Sequence, residues 1–312
     1  MGTGPFAVPS FEAIRASNHE IVAVVTKPEP PVKSRKGPPP APVRSWAIEH
    51  GLPLMEPVSV NDPDAIERLV AMSADLLVVC DYGQILKPAA LASSKLGGIN
   101  LHGSLLPAYR GAAPVQRALL SGDAETGISV IHMTPKLDGG PILRFKRTAI
   151  NDQETSGQLE ERLSLMGVEL VLQSIDDLSK WDGSSAIGDS QDATLATKAQ
   201  RLKKGEAEIN WNRTRKEIDC HVRGMQPWPV AFSQIEVRKN KPLLRVAILS
   251  VSPAPDSISD LSPGEITGGK ELVVATADGA LKIERLRPAG KREMTGEEFL
   301  RGYQLNRGTS FK

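Results

Sequence analysis

The chain has 312 residues, 40% of them hydrophobic and 24% charged, the balance of an ordinary soluble chain with room for two cores. The longest apolar run, ADLLVVC at 74–80, falls far short of the ~20 residues that span a bilayer, which excludes a membrane-spanning helix. The net charge of +1 conceals a segregation: residues 1–197 carry 17 Lys+Arg against 23 Asp+Glu, residues 198–312 carry 21 against 14, and the excess lies in 198–250 with 12 against 5. A surface facing a polyanion and a solvated basic helix face fit that excess equally.

The chain opens MGTGPFAVPSFEAI, a turn and helix of the kind that follows a first strand, with only Met1 before them. A central strand needs about 5 or 6 residues. The first strand is therefore expected to be missing, either because the true start lies upstream of Met1, the reading favoured here, or because the sheet is short. Gly2 and Gly4 make a poor dinucleotide fingerprint, since Ala7 stands where a third glycine belongs. The β-branched runs HEIVAVVTKP (19–28) and ADLLVVCDYG (74–83) read as strands, with GGINLHG as a third. Between them PSFEAIRAS, PVRSWAIEHG and DPDAIERLVAM carry apolar residues at helical spacing, the last capped by Asn61 or Asp62 with Pro63 in its first turn. Strands alternating with helices predict an open, mainly parallel, Rossmann-like α/β sheet covered on both faces.

The proline-rich basic stretch KPEPPVKSRKGPPPAPVR is a long exposed loop, because proline denies the ladder its donors. A helix begins at Thr155 or Ser156 and carries the periodic run LEERLSLMGVELVLQSIDDL, after which KWDGSSAIGDSQDATLA is polar and rich in turn residues, as a linker is. Beyond it EAEINW, PVAFSQIEV, LLRVAILSVS, PGEITGG and ELVVATADGALKIERLRP alternate as short strands, with Asp278-Gly279 as a hairpin turn. A basic barrel of this size resembles the OB fold. The expected division is a catalytic domain at 1–180, a linker at 181–200 and an OB-like barrel at 201–312. The only cysteines, Cys80 and Cys220, form no C-x-x-C pair, and the N-terminal segment shows no basic and apolar leader. A reduced, cytoplasmic protein is expected. The five histidines lack metal-ligand spacing, so no metal is expected.

Side chains alternate across a strand, so Asn100 and His102 of INLH share one face while Ile99 and Leu101 share the other. Gly103 then lets the chain turn, at the strand end where open parallel sheets bind ligands. Ser104 is a poor nucleophile, because His-Gly-Ser-Leu-Leu crowds the position that the G-x-S-x-G elbow keeps small. Asn100 and His102 instead suit an oxygen that gains charge, and such a pair needs a carboxylate beside the imidazole. Asp138, before Gly139 and Gly140 in KLDGGP, offers one.

The tract GINLHGSLLPAYRGAAPVQRALLSGDAETGISVIHMTPKLDGGPIL resembles the core of the folate-dependent formyltransferases, with Asn-x-His, Ser-Leu-Leu-Pro and Leu-Asp-x-Gly in order. YRGAAPVQRALLSGDAETG, GTGPFAVPSFEAI, PWP and PAGKREMTGEEFL resemble those members of the family that formylate initiator methionyl-tRNA, and the likeness covers nearly the whole chain. The resemblance implies formyl transfer from 10-formyltetrahydrofolate, without a metal, to the α-amino group of that tRNA, by a monomer that needs no membrane. It implies Asn100, His102 and Asp138 as the catalytic set, and Ser104, Leu105, Leu106 and Pro107 as a folate-binding turn. Tyr82, Gly83, Gln84, Ile85 and Leu86 match a segment flanking the pterin pocket, with an ordinary strand-to-helix loop as the alternative reading. The apolar turn suits a flat pterin, which needs greasy walls and few polar groups. For the tRNA, Lys33, Arg35 and Lys36 of the proline-rich loop and Arg201, Lys203 and Lys204 are the expected contacts. Asp81 and Gln226 depart from the family pattern, which more often has a small residue and Asn there. Formyl transfer to a small amine and an RNA-binding protein with an inert core are the alternatives; the basic barrel weighs against the first and the intact Asn100, His102 and Asp138 against the second.

Overall fold

Helical periodicity and β-branched runs alternate in space as they do along the chain. The computed structural model describes residues 1–29, 41–237, 241–254 and 260–312. In chain order come α1 (Val8–Arg15), β1 (Val24–Val25), α2 (Pro42–Glu49), β2 (Leu54–Met55), α3 (Pro63–Ala71), β3 (Leu77–Val79), α4 (Pro88–Leu91), β4 (Gly98–His102), β5 (Arg110–Gly111), α5 (Pro114–Leu120), β6 (Glu125–His132), β7 (Ile142–Ala149), α6 (Ser156–Ser179) and β8 (Lys198–Ala199). Then follow α7 (Arg215–Gly224), β9 (Phe232–Ile235), β10 (Leu244–Pro253), β11 (Val273–Thr276), β12 (Gly279–Pro288), β13 (Met294–Thr295) and α8 (Gly296–Tyr303). Two compact units divide these elements: Met1–Pro114, Glu125–Ala149 and Leu159–Gln200 form the first, and Val115–Ala124, Ile150–Gln158 and Arg201–Lys312 the second.

In the first unit β1 pairs with β2 and β3 with β4, both in parallel, and β6 and β7 add antiparallel strands in the order β3-β4-β6-β7. The sheet is therefore mixed, with its parallel part in the segment of alternating helices and strands. Where the sequence leaves the first strand empty, Met1–Thr3 lies between the two parallel pairs. The Gly2 N–H donates to the Val25 carbonyl at 3.0 Å, the Cys80 N–H donates to the Met1 carbonyl at 3.0 Å, and Gly2 bridges Cys80 in parallel. Alongside Met1 a cavity of about 280 Å³ opens between Val22–Val24 and Leu76–Val78, floored by Phe11 and Ile175. The Ile99 and Leu101 face of β4 is buried. Helix α6 packs closely there, since a Cβ on Gly167 would stand 2.6 Å from Leu101 Cδ2. That packing leaves the opposite face of β4, with Asn100 and His102, for the site.

Helix α6 starts with a capping exchange: Thr155 N–H donates to Gln158 Oε1 at 2.9 Å, and the Gln158 N–H reaches back to Thr155 Oγ1 at 3.3 Å. Asp62 is the cap of α3 but makes no side-chain cap bond; Asn61 instead donates to the Ile85 carbonyl and accepts the Lys87 N–H. One turn into α6, burial first and the charge of Asp81 second push the Glu160 carboxyl up to about 7. The native chain then holds a proton on Glu160 that the unfolded chain releases from about 4.5, so this residue's contribution falls as pH rises from about 4.5 through 7. Glu160→Gln is expected to raise Tm at pH 8 by about 2–4 °C and to change it little at pH 4.5; thermal melts at the two pH values check this, and an equal shift at both would refute it.

The second unit is a curled antiparallel sheet, ordered β11-β12-β10-β9 with β13 on β12. Its two edges meet through single bridges: Ile235 of β9 with Phe311, Ser310 with Glu265, and Ile266 with Val274 of β11. The result is OB-like. The Trp211 and Phe311 rings pack tilted inside, their centroids 5.7 Å apart, and the buried Trp211 indole donates to Ser233 Oγ at 3.0 Å. The strands expected over EAEINW and PGEITGG are only single bridges, because Lys204–Ala207 winds into a 3₁₀ turn and Gly264 and Gly268 adopt positive φ. At the hairpin, Gly279 opens β12 opposite Thr276, so Ala277 and Asp278 form the turn. Capping boxes on Thr214 with Glu217 and on Thr295 with Glu298 start α7 and α8. No helix among the described residues is long and apolar enough to cross a membrane.

Candidate active site

His102 ends β4 and is only 5% exposed. Its Nε2 lies 2.9 Å from the Tyr109 carbonyl. A carbonyl only accepts, so Nε2 carries a proton. The other ring nitrogen, Nδ1, faces Asp138 Oδ2 at 3.9 Å. The structure thus unites an imidazole and a carboxylate separated by 36 residues. Asp138 adopts φ +47° at the start of its Gly-Gly turn, and its Oδ2 accepts the Gly111 N–H at 2.9 Å. Gly140 is needed for closeness: a Cβ there would stand 1.8 Å from the His132 carbonyl. Asn100, on the same face as His102, is partly exposed, and its amide makes no side-chain hydrogen bond among the described residues. Two N–H donors at Asn100 are therefore open to a ligand oxygen beside a histidine backed by a carboxylate.

The turn after β4 is rigidly tied. Ser104 is fully buried and its Oγ donates to the Ala108 carbonyl at 2.7 Å, so it is committed to the turn. Ser129 Oγ accepts the Leu106 N–H and donates to the Ser104 carbonyl. Leu106 is buried, whereas Leu105 and Pro107 remain partly exposed. Gly127 admits Leu105, because a Cβ there would lie 2.6 Å from Leu105 Cδ2. Of the segment after β3, Tyr82 and Leu86 join the apolar cluster with Val60 and Leu69. Burial pushes the Tyr82 phenol up to about 12, and its hydroxyl has no partner among the described residues. Gln84 Oε1 accepts the Val60 N–H at 2.9 Å and its Nε2 donates to the Val58 carbonyl, while Ile85 is 62% exposed. The Gln84 amide is thus occupied in bracing the loop, and Ile85 is the apolar side chain that the loop presents.

Arg201, Lys203 and Lys204 are exposed on the second unit, at the edge of the 3₁₀ turn Lys204–Ala207. Lys33, Arg35 and Lys36 lie outside the described residues. Among the described residues no group of three or more His, Cys, Asp or Glu could hold a metal ion. Sequence reasoning missed Tyr109, Gly111 and Gln191. The first two act through backbone groups, which no residue type advertises, and Gln191 sits in a polar stretch without periodicity.

Comparison with known proteins gives this arrangement a family. Residues 1–175 match the model of the formyl transferase domain and residues 201–304 that of the formyl transferase C-terminal domain, so the chain belongs to the formyltransferase family. It is 57% identical over 315 residues to the methionyl-tRNA formyltransferase of Rhodopirellula baltica, covering 99% of this chain and 94% of that one. The methionyl-tRNA formyltransferase of Parvibaculum lavamentivorans is 41% identical over 313 residues, covering 99% and 98%. A solved structure of the Helicobacter canadensis N-formyltransferase with folinic acid and dTDP-3-aminofucose matches at a TM-score of 0.65 and 17% identity, over 94% and 97% of the two chains, a likeness of fold.

Proposed function

We propose that the protein transfers the formyl group of 10-formyltetrahydrofolate to the α-amino group of initiator methionyl-tRNA, for translation initiation, as a cytoplasmic monomer. The observation that carries the chemistry is the approach of Asp138 to His102, 3.9 Å, beside an Asn100 amide on the same strand face. Identity of 57% to a methionyl-tRNA formyltransferase over nearly the whole chain supports the acceptor. An α-amine has a pKa near ~8, so a useful fraction is neutral at pH 7 and no strong base is required. The amine nitrogen attacks the formyl carbon, and the carbonyl oxygen gains the charge. Asn100 donates to that oxygen, and the Nε2–H of His102 exchanges the Tyr109 carbonyl for it. Asp138 supports the positive charge on the imidazole and accepts the proton that the amine loses, directly or through one water. Collapse breaks the bond from carbon to N10, and the proton taken by Asp138 passes to N10, directly or through water, as tetrahydrofolate leaves. Leu105, Pro107 and Ile85 supply apolar surface for the folate, with Ser104, Leu106, Tyr82, Gln84 and Leu86 fixing the two loops that carry them.

The test mixes purified protein, 10-formyltetrahydrofolate and either charged initiator tRNA or a small primary amine, and follows tetrahydrofolate. Release only with the tRNA is expected; release only with the small amine would overturn the assigned acceptor. On the tRNA side, replacing Arg201, Lys203 and Lys204 together with alanine is expected to weaken binding and to flatten the slope of log K against log salt by about 2. Binding isotherms at four salt concentrations read the slope, and an unchanged slope would remove these residues from the interface.

A further inference from the structure

The stretch 189–199, which the sequence marks as linker, is a strap across the two loops that flank the His102–Asp138 pair. Asp189 and Ile142 exchange backbone hydrogen bonds of 2.8 Å, and β8 pairs with β5, Lys198 against Arg110 and Ala199 against Gly111. Thr197 Oγ1 accepts the N–H of Tyr109 at 2.8 Å. The carbonyl that holds His102 and the N–H that holds Asp138 therefore belong to a segment hung on this strap. Gln191 is the point where the strap reaches the Asp138 turn. Its Nε2 donates to the carbonyls of Asp138 at 2.9 Å and Gly140 at 2.6 Å, and its Oε1 accepts from Arg110 Nε at 3.1 Å and Nη2 at 2.6 Å. The partners fix the orientation of the amide, since two carbonyls require the NH₂ and a guanidinium requires the oxygen.

Asp138 needs this help. At φ +47° a non-glycine residue sits in a sparsely populated region, and the two glycines after it give the turn little preference of its own. Hydrogen bonds from outside the turn must then hold the conformation. We propose that Gln191 is a positioning residue for Asp138, keeping its carboxylate within reach of the imidazole and of the amine proton. The inference rests on the reading of Asp138 as the proton acceptor.

Gln191→Glu is the discriminating variant. It is isosteric and strengthens the pairing with Arg110, yet it loses both N–H bonds and sets a carboxylate against two carbonyls. Gln191→Leu loses both halves. A displacement of about 1 Å in a reacting group can cost a hundredfold, so both variants are expected to lower kcat by about tenfold to a hundredfold with KM for each substrate changed less than about twofold. Misplacement of the proton acceptor also predicts that kcat of the variants rises with the concentration of a carboxylate buffer, whereas the wild type is flat; a general loss of rigidity would not produce that rescue. If charge at position 191 prevents folding, Gln191→Asn, one methylene shorter, is expected to show the same loss and the same rescue. Wild-type kcat in Gln191→Glu, or a loss without rescue that Thr197→Val reproduces in full, would overturn the inference. Asp138→Asn run in parallel separates the two levels: an impaired Asp138→Asn beside a normal Gln191→Glu defeats this inference alone, and a fully active Asp138→Asn defeats the reading beneath it.

Discussion

Asn100→Ala is expected to lower kcat at least about a hundredfold, while Tm and the far-UV circular dichroism stay at wild-type values. The Asn100 side chain is partly exposed and makes no side-chain hydrogen bond among the described residues, so its removal breaks no such bond in the folded chain. The alanine also preserves the strand pairing of residue 100 with Val79 and Ile131, which is a matter of backbone. On the proposed mechanism, what disappears is a donor to the oxygen that becomes charged only during the reaction. An interaction made only in the transition state lowers kcat and kcat/KM together and leaves KM alone. Steady-state kinetics with saturating folate decide it, and turnover within threefold of wild type would take Asn100 out of the reacting site.

Asp138→Asn carries an equally large expectation, a loss of about 10²–10⁴ in kcat. Asparagine keeps the size of the side chain and, through its carbonyl oxygen, an acceptor for the Gly111 N–H, so the turn is retained. It removes the negative charge 3.9 Å from His102 Nδ1 and, with it, the proposed acceptor of the amine proton. If Asp138 acts partly through the imidazole, as proposed, the two do not contribute independently. His102→Ala combined with Asp138→Asn is expected to be no more than about tenfold worse than the poorer single variant. Losses that multiply in full would show that the two groups serve separate steps, and the pairing seen in the structure would then be incidental to catalysis.

The sequence carried the alternation of the first unit because periodicity is local: α1, α2 and α3 stand where apolar residues recur at helical spacing, and Val78, Val79, Ile99 and Leu101 lie in strands. It did not carry the antiparallel entry of β6 and β7, since a strand's direction is set by its connection and not by its composition. In the second unit, EAEINW and PGEITGG alternate like strands but shrink to single bridges, because a 3₁₀ turn and positive-φ glycines interrupt them. Two candidate loops were equally legible as residues and differ in space. Leu105 and Pro107 keep open surface, while Gln84 spends its amide on Val58 and Val60.

That Asn100 and His102 share a face, and that a Gly-containing turn follows them at a sheet end, could be read from the residues alone, because alternation along a strand is a property of the backbone. The meeting of Asp138 with His102, the hold of the Tyr109 carbonyl and the Gly111 N–H on the pair, and the reach of Gln191 to the turn from beyond α6 in the sequence arise only in the folded chain. Those contacts join segments tens of residues apart through backbone groups that every residue possesses, so no choice of side chain announces them.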